Sequence, residues 1–207
     1  MLRILGKSTS INVRKILWLC SELSLVYELE EWGVEASDLN NSEFLELNPN
    51  ALVPVIVDRG FILWESNTIC RYLASSEKRL DLLPQEPKAK ASVEKWMDWQ
   101  ATELNNSWRY SFMSLVRKDP ACSDATMINS NVEAWNKNMA LLDSQLKESG
   151  KFVVGDDFTL ADIVLGLATH RWLSTPIERP DLPAVQAYYQ RLCQRKGFVQ
   201  HGCNGIP

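Results

Sequence analysis

Residues 48–73, NPNALVPVIVDRGFILWESNTICRYL, restrict the local structure more than any other stretch of this chain. Two apolar segments, residues 53–57 and Phe61–Trp64, flank Asp58-Arg59-Gly60. β-Branched residues on either side of a Gly-containing turn predict a β-hairpin. Glu65-Ser66 follows at once, and then Ile69, Cys70 and Leu73 share one helical face. Ser66 is the predicted N-cap, so the second strand delivers the chain straight to a helix N-terminus. Unpaired amides and the positive end of the helix dipole suit such a terminus to a carboxylate. Pro54 stands at the hairpin entrance, where a missing N–H costs least. A cis Val53–Pro54 bond there would turn the Val53 backbone toward an extended ligand. A hairpin capped by a helix, with no ligand at all, satisfies the same local pattern.

Upstream, Leu2–Leu5 is a strand candidate, followed by the polar loop Lys7-Ser8-Thr9-Ser10-Ile11-Asn12. Val13, Ile16, Leu17, Cys20 and Leu23 then recur at helical spacing, with Ser10 and Asn12 available as N-caps. Residues 27–31 form a second strand candidate, and residues 38–47 a short amphipathic segment stopped by Asn48-Pro49. The resulting β-α-β-α-β-β-α order favours a right-handed crossover and a mixed sheet. Pro84-Gln85-Glu86-Pro87 marks a boundary between an α/β unit, residues 1–80, and an all-helical unit, residues 88–207. In the second unit one long helix is expected over residues 88–118, ended by Asp119-Pro120. Val132, Trp135, Met139, Leu142 and Leu146 trace another, stopped at Ser149-Gly150. Thr159 with Asp162 reads as a relative of the capping box, opening a nearly uncharged and hence buried helix. A final helix is expected over residues 182–195, with Val185, Tyr189 and Leu192 inward.

With 207 residues the chain can bury an ample core. A net charge of −4 without a basic cluster argues against a nucleic-acid partner. No apolar stretch reaches the length of a membrane span, and no signal-peptide pattern opens the chain. The five cysteines are odd in number and scattered, which fits free thiols in a reducing, cytoplasmic compartment. His170 and His201 fall in no motif, and no metal is implied.

The order N-P-x-x-x-V-P, hairpin, E-S, then an apolar helix ending R-Y-L resembles the signature of the cytosolic glutathione transferases. Thr159 and Asp162 match that family's capping box, so the resemblance spans nearly the whole chain. It implies a thioredoxin-like N-terminal domain followed by an all-helical domain, glutathione as co-substrate, a small electrophile as second substrate, a homodimer and a role in detoxification. It also implies that Ser66 and the amides after it hold the γ-glutamyl carboxylate, that Glu65 orients that end and its ammonium, and that the Val53 backbone pairs with the cysteinyl unit. The thiol lies by resemblance at the first loop, where a donor must solvate the thiolate. Ser10, four residues before Arg14, matches the serine-type members, and Asn12 matches bacterial members when N-V-R-K is aligned, so both stand as candidates. Ser8 and Thr9 are minor ones. Neither Tyr nor Cys occurs in this loop, which excludes a tyrosine-type site and argues against a mixed disulfide there. Leu52 stands where many relatives carry a polar or basic residue, leaving Asn40 and Asn50 as candidates for the glycyl carboxylate. The electrophile pocket is expected from Trp108, Arg109, Phe112 and Met113, with Trp172 nearby. An Arg such as Arg109 among apolar side chains either pairs with a carboxylate or meets an anionic ligand. The same site admits glutathione-dependent disulfide reduction, and the fold also serves as a non-catalytic glutathione-binding module.

Overall fold

The structure, a computed structural model, describes residues 1–35 and 38–207. Strand β1 (Leu2–Leu5) pairs in parallel with β2 (Tyr27–Glu30) and antiparallel with β3 (Val55–Asp58). β3 in turn pairs antiparallel with β4 (Phe61–Trp64), so the sheet order is β2-β1-β3-β4. Parallel strands need a crossover, and α1 (Ile11–Leu23) supplies it between β1 and β2. α2 (Ser42–Leu47) is capped by Asn41, whose side chain accepts from the Glu43 amide at 3.0 Å. Arg59 and Gly60, at φ 52° and 87°, make the tight turn of the β3–β4 hairpin, and α3 (Ser66–Ser76) follows β4 directly.

The helical unit opens with α4 (Pro87–Trp99), a π turn (Gln100–Leu104) and α5 (Asn105–Leu115). The single helix expected over residues 88–118 is therefore interrupted, because a π turn adds a residue and rotates the helix face beyond it. It also ends earlier: Asp119 instead caps a 3-10 turn (Pro120–Cys122) by accepting the Ala121 amide at 3.0 Å. α6 (Ala125–Ser149) starts well before its first periodic apolar residue, since Asp124 accepts the Thr126 and Met127 amides at 2.8 and 3.0 Å. α7 (Leu160–Ser174) is buried almost throughout, as its uncharged run requires. The last expected helix, over residues 182–195, is α8 (Pro183–Leu192), and a further short helix, α9 (Lys196–His201), follows it.

The main hydrophobic core draws on both units and includes Trp18 of α1, and a smaller cluster of Leu5, Phe44 and Val55 lies apart from it. The indole is fully buried, with ring centroids of Phe198 and Phe158 at 4.8 and 5.6 Å. It fits only because α7 and α9 present glycines: a Cβ on Gly166 or Gly197 would come within 3.1 or 2.5 Å of it. Trp18 Nε1 donates to Glu22 at 2.8 Å, and Glu22 also receives Arg195 at 2.6 Å, tying α1 to the end of the chain.

The Thr159–Asp162 capping box is formed as expected. Asp162 is fully buried and accepts the Val153 amide at 3.0 Å, the Thr159 amide at 2.8 Å and the Thr159 hydroxyl at 3.1 Å. Burial pushes its carboxyl up to about 6, against hydrogen bonds that favour the charged form. Asp162→Ala leaves two buried amides without a partner and should cost about 3 kcal/mol. For a chain of this size that lowers the unfolding midpoint by about 6–12 °C. Thermal unfolding of both proteins at pH 7 checks this, and a drop below about 2 °C would refute it.

Candidate active site

The junction between hairpin and helix is where the backbone is forced. Glu65 takes the N-cap position at φ 74°, and Ser66 is the first residue of α3 rather than its cap. The chain leaving β4 must reverse into the helix, and the left-handed turn falls on Glu65, a strain of order 1–3 kcal/mol for a non-glycine residue. Ser66 is thereby buried with its hydroxyl directed to α1, while Glu65 stays exposed. The preceding loop is built on Asn48, whose side chain donates to Leu52 O at 2.7 Å and accepts both the amide and the Nδ2 of Asn50 at 3.0 Å. Val53–Pro54 is cis.

Two cavities meet here. The smaller, about 60 Å³, is a cleft bounded by Asn50, Val53, Trp64, Glu65, Ser66 and Asn12. The larger, about 410 Å³, lies between the first loop and α5, with Ser10 and Asn12 on one side and Trp108, Arg109 and Phe112 on the other. Asn12 and Leu52 line both, whereas Ser10 lines only the larger. Ser10 is the N-cap residue of α1, yet its side chain makes no capping hydrogen bond. Asn12 lies within the helix, so the capping role expected for it does not arise. Ser8, Thr9 and Asn40 line neither cavity.

Trp172, expected in the electrophile pocket, lies outside it. Its indole is buried and donates to Asn136 Oδ1 of α6 at 2.9 Å. Its neighbour Arg171 lines the cavity instead, because successive residues on a helix point about 100° apart. His170 bonds Tyr189 and Ile206 O at 2.8 and 3.0 Å, and burial with the nearby Arg14 holds its pKa down to about 4. It is a neutral structural residue.

Comparison with known proteins identifies the family. Residues 9–76 match the family described as "Glutathione S-transferase, N-terminal domain", and residues 108–196 that described as "Glutathione S-transferase, C-terminal domain". Glutathione S-transferase GstB of Escherichia coli K12 is 36% identical over 197 residues, covering 94% of each chain. The chain belongs to the glutathione S-transferase family. Glutathione S-transferase 3 of Zea mays is 29% identical over 205 residues, covering 95% of this chain and 91% of its own. The theta-class glutathione S-transferase of Xanthomonas axonopodis pv. citri, solved with glutathione bound, has a TM-score of 0.92 and 33% identity, covering 100% of this chain and 99% of its own.

The residue of this transferase that periodicity did not single out is Lys15. It is fully buried on α1, and its ammonium donates to Asn67 Oδ1 and Gln100 Oε1 at 2.9 Å each and to Ser66 Oγ at 3.4 Å. Gln100, brought inward by the π turn, donates on to Asn105 Oδ1 at 2.9 Å, and Asn105 lines the larger cavity. One polar chain thus links the start of α3 to the wall of the second cavity. All three acceptors are neutral oxygens, so no carboxylate is bonded to the ammonium. A lysine within the apolar run of α1 was the available signal, but the same pattern describes a lysine that reaches solvent.

Burial brings Lys15 down to about 8 from 10.5, with Arg171 adding to the lowering and Cys70 and Glu65 opposing it. The free lysine therefore binds its proton more tightly than the folded one. The unfolded state holds more protons between these values, so stability rises with pH across about 8 to 10.5 through this group. Relative to Lys15→Met, the native chain should gain on the order of 2–3 kcal/mol between pH 7 and 10.5. Urea unfolding of both proteins at the two pH values tests it, and a difference independent of pH would refute the assignment.

Proposed function

We propose that this glutathione transferase places the glutathione thiol where the two cavities meet, for attack on a small electrophile in the larger one. The observation that carries the proposal is the shared wall: Asn12 lines both the cleft at α3 and the aromatic cavity at α5. Glutathione, its co-substrate, lies along the cleft with the γ-glutamyl carboxylate at Ser66 and the first amides of α3, where dipole and unpaired N–H groups favour an anion. Glu65 meets the ammonium and the Val53 backbone pairs with the cysteinyl unit. Asn50 is the polar side chain nearest the remaining, glycyl end, and Leu52 beside it supplies no charge, so that end is held weakly. At the thiol, Asn12 donates to the developing thiolate and Ser10 stands behind it. Solvating the anion lowers the thiol pKa and raises the fraction present as nucleophile.

Asn12→Ala should reduce turnover about 10²–10³-fold, as loss of an oxyanion donor does, with glutathione affinity little changed. Its pH–rate profile should move upward, because the unsolvated thiolate forms only at higher pH. Ser10→Ala should be nearly silent. Steady-state conjugation of an aryl halide and calorimetric glutathione binding measure both effects. The reverse pattern would transfer the role to Ser10, and normal profiles in both variants would remove this loop from thiol chemistry. The same assay with a model disulfide separates conjugation from disulfide reduction, and binding without either activity would mark a non-catalytic module.

The protein works as a homodimer in the cytoplasm, with a detoxifying role. β4 is an edge strand, and it exposes Phe61, Ile62 and Trp64 at 50, 41 and 37%. Apolar side chains in a row along an unpaired edge suit an interface. No helix among the described residues is long and apolar enough to cross a membrane, and the five cysteines are free thiols. Phe61→Asp should shift sedimentation at micromolar concentration from dimer toward monomer, and a native protein already monomeric there would refute the homodimer.

A further inference from the structure

We propose that the larger cavity takes electrophiles that carry a carboxylate beside an apolar ring, with the carboxylate held by Arg171 and the neighbouring Arg109 and Arg117. The inference rests on the transferase reading of the cavity and adds the charge of what enters it. Lys7, Arg109, Arg117 and Arg171 all line its wall, and no Asp or Glu does. The chain as a whole carries −4, so this local excess of cations does not follow from composition. Among the described residues none of the four forms an ion pair.

Arg171 shows why these are more than solvated surface charges. It is only 4% exposed, and its guanidinium lies 4.6 and 4.2 Å from the ring centroids of Trp108 and Phe112. One nitrogen donates to the main-chain oxygen of Pro207 at 3.4 Å, and its buried Nε has no partner. Arg14 stands behind it, also buried and also with an orphaned Nε, held by Asn204, Ile206 and Pro207 at 3.2, 2.6 and 3.1 Å. Burial, with the like charges of Arg14 and Arg117, holds the Arg171 pKa down to about 9. A buried guanidinium among others of its kind is costly unless an anion answers it. The planar fork of Arg matches a carboxylate with two parallel hydrogen bonds. Trp108 and Phe112 form the adjoining apolar wall, so a ring packs there while its carboxylate meets Arg171. The volume, about 410 Å³, suits a small aromatic acid.

A matched pair of probes tests the charge alone: 4-chloro-3-nitrobenzoate and 4-chloro-3-nitrobenzamide. In both, the glutathione thiolate attacks the ring carbon bearing chlorine. The C–S bond forms, the C–Cl bond breaks, chloride leaves with the bonding pair, and the thiol proton has passed to solvent. Each kcat/KM is divided by the uncatalysed rate constant of the same probe, which removes their difference in reactivity. The benzoate should then be favoured about tenfold or more, the size of one charge-assisted contact. Arg171→Met should abolish the preference, and the exposed Arg109→Gln and Arg117→Gln, which do not disturb the core, should each reduce it. A corrected preference of one or below, with both probes conjugated, overturns the proposal while leaving the transferase intact. If neither probe is conjugated, the transferase reading fails for these substrates and calorimetry decides the charge question. Benzoate binding, in the presence of S-methylglutathione, that exceeds benzamide binding and weakens in Arg109→Gln supports the proposal, and equal or absent binding overturns it.

Discussion

The ammonium of Lys15 is the point on which the two units of this protein depend together. It lies in α1, which belongs to the sheet unit, yet its acceptors come from α3 and from the π turn of the helical unit. An unpaired buried charge of this kind is tolerated only where several oriented oxygens surround it. Those oxygens must stay in place, which fixes how α3 and the π turn sit against α1. Asn67 reinforces the seam by donating to Met97 O at 2.7 Å, and Arg71 pairs across it with Asp98 and Glu94. Close packing of Trp18, one turn further along the same helix, against Gly166 and Gly197 ties α1 to α7 and α9.

α1 therefore carries the site on a rigid base. Val13, Ile16, Trp18, Leu19 and Cys20 are fully buried, and the N-terminal end of the helix, with Ser10 as N-cap and Asn12 in the first turn, opens into the larger cavity. Any donor there is held by the best-packed helix of the sheet unit, which is what preorganised stabilisation of an anion demands. The strained Glu65 fits the same pattern, since a positive φ at a non-glycine residue persists only where its surroundings over-determine it.

The cost of this arrangement is a concentration of positive charge. Lys15, Arg14 and Arg171 are all buried within or behind the two cavities, and burial lowers the pKa of each. Arg14 and Arg171 share the oxygen of Pro207, so the end of the described chain partly answers guanidiniums that no side-chain carboxylate meets. The excess shows in the lining of the larger cavity, where Lys7, Arg109, Arg117 and Arg171 meet no Asp or Glu, whereas the smaller one has Glu65 in its wall.

The sequence alone determined the elements whose signals are local. The hairpin and its turn followed from β-branched runs around Arg59-Gly60, the capping box from Thr159 and Asp162, and the family from motifs spread along the chain. The convergence of Val53, Glu65 and Ser66 was legible for the same reason, since all three lie within one hairpin and the start of the helix after it. What remained for the tertiary structure was every decision about direction. Whether Lys15 snorkels to solvent or turns inward, and whether Arg171 or Trp172 faces the cavity, depends on which neighbour covers each helix face. The π turn that brings Gln100 to Lys15 rotates α5 relative to α4, and no residue in that stretch announces it. Periodicity reports that a face is buried; only packing decides which element buries it and what chemistry meets there.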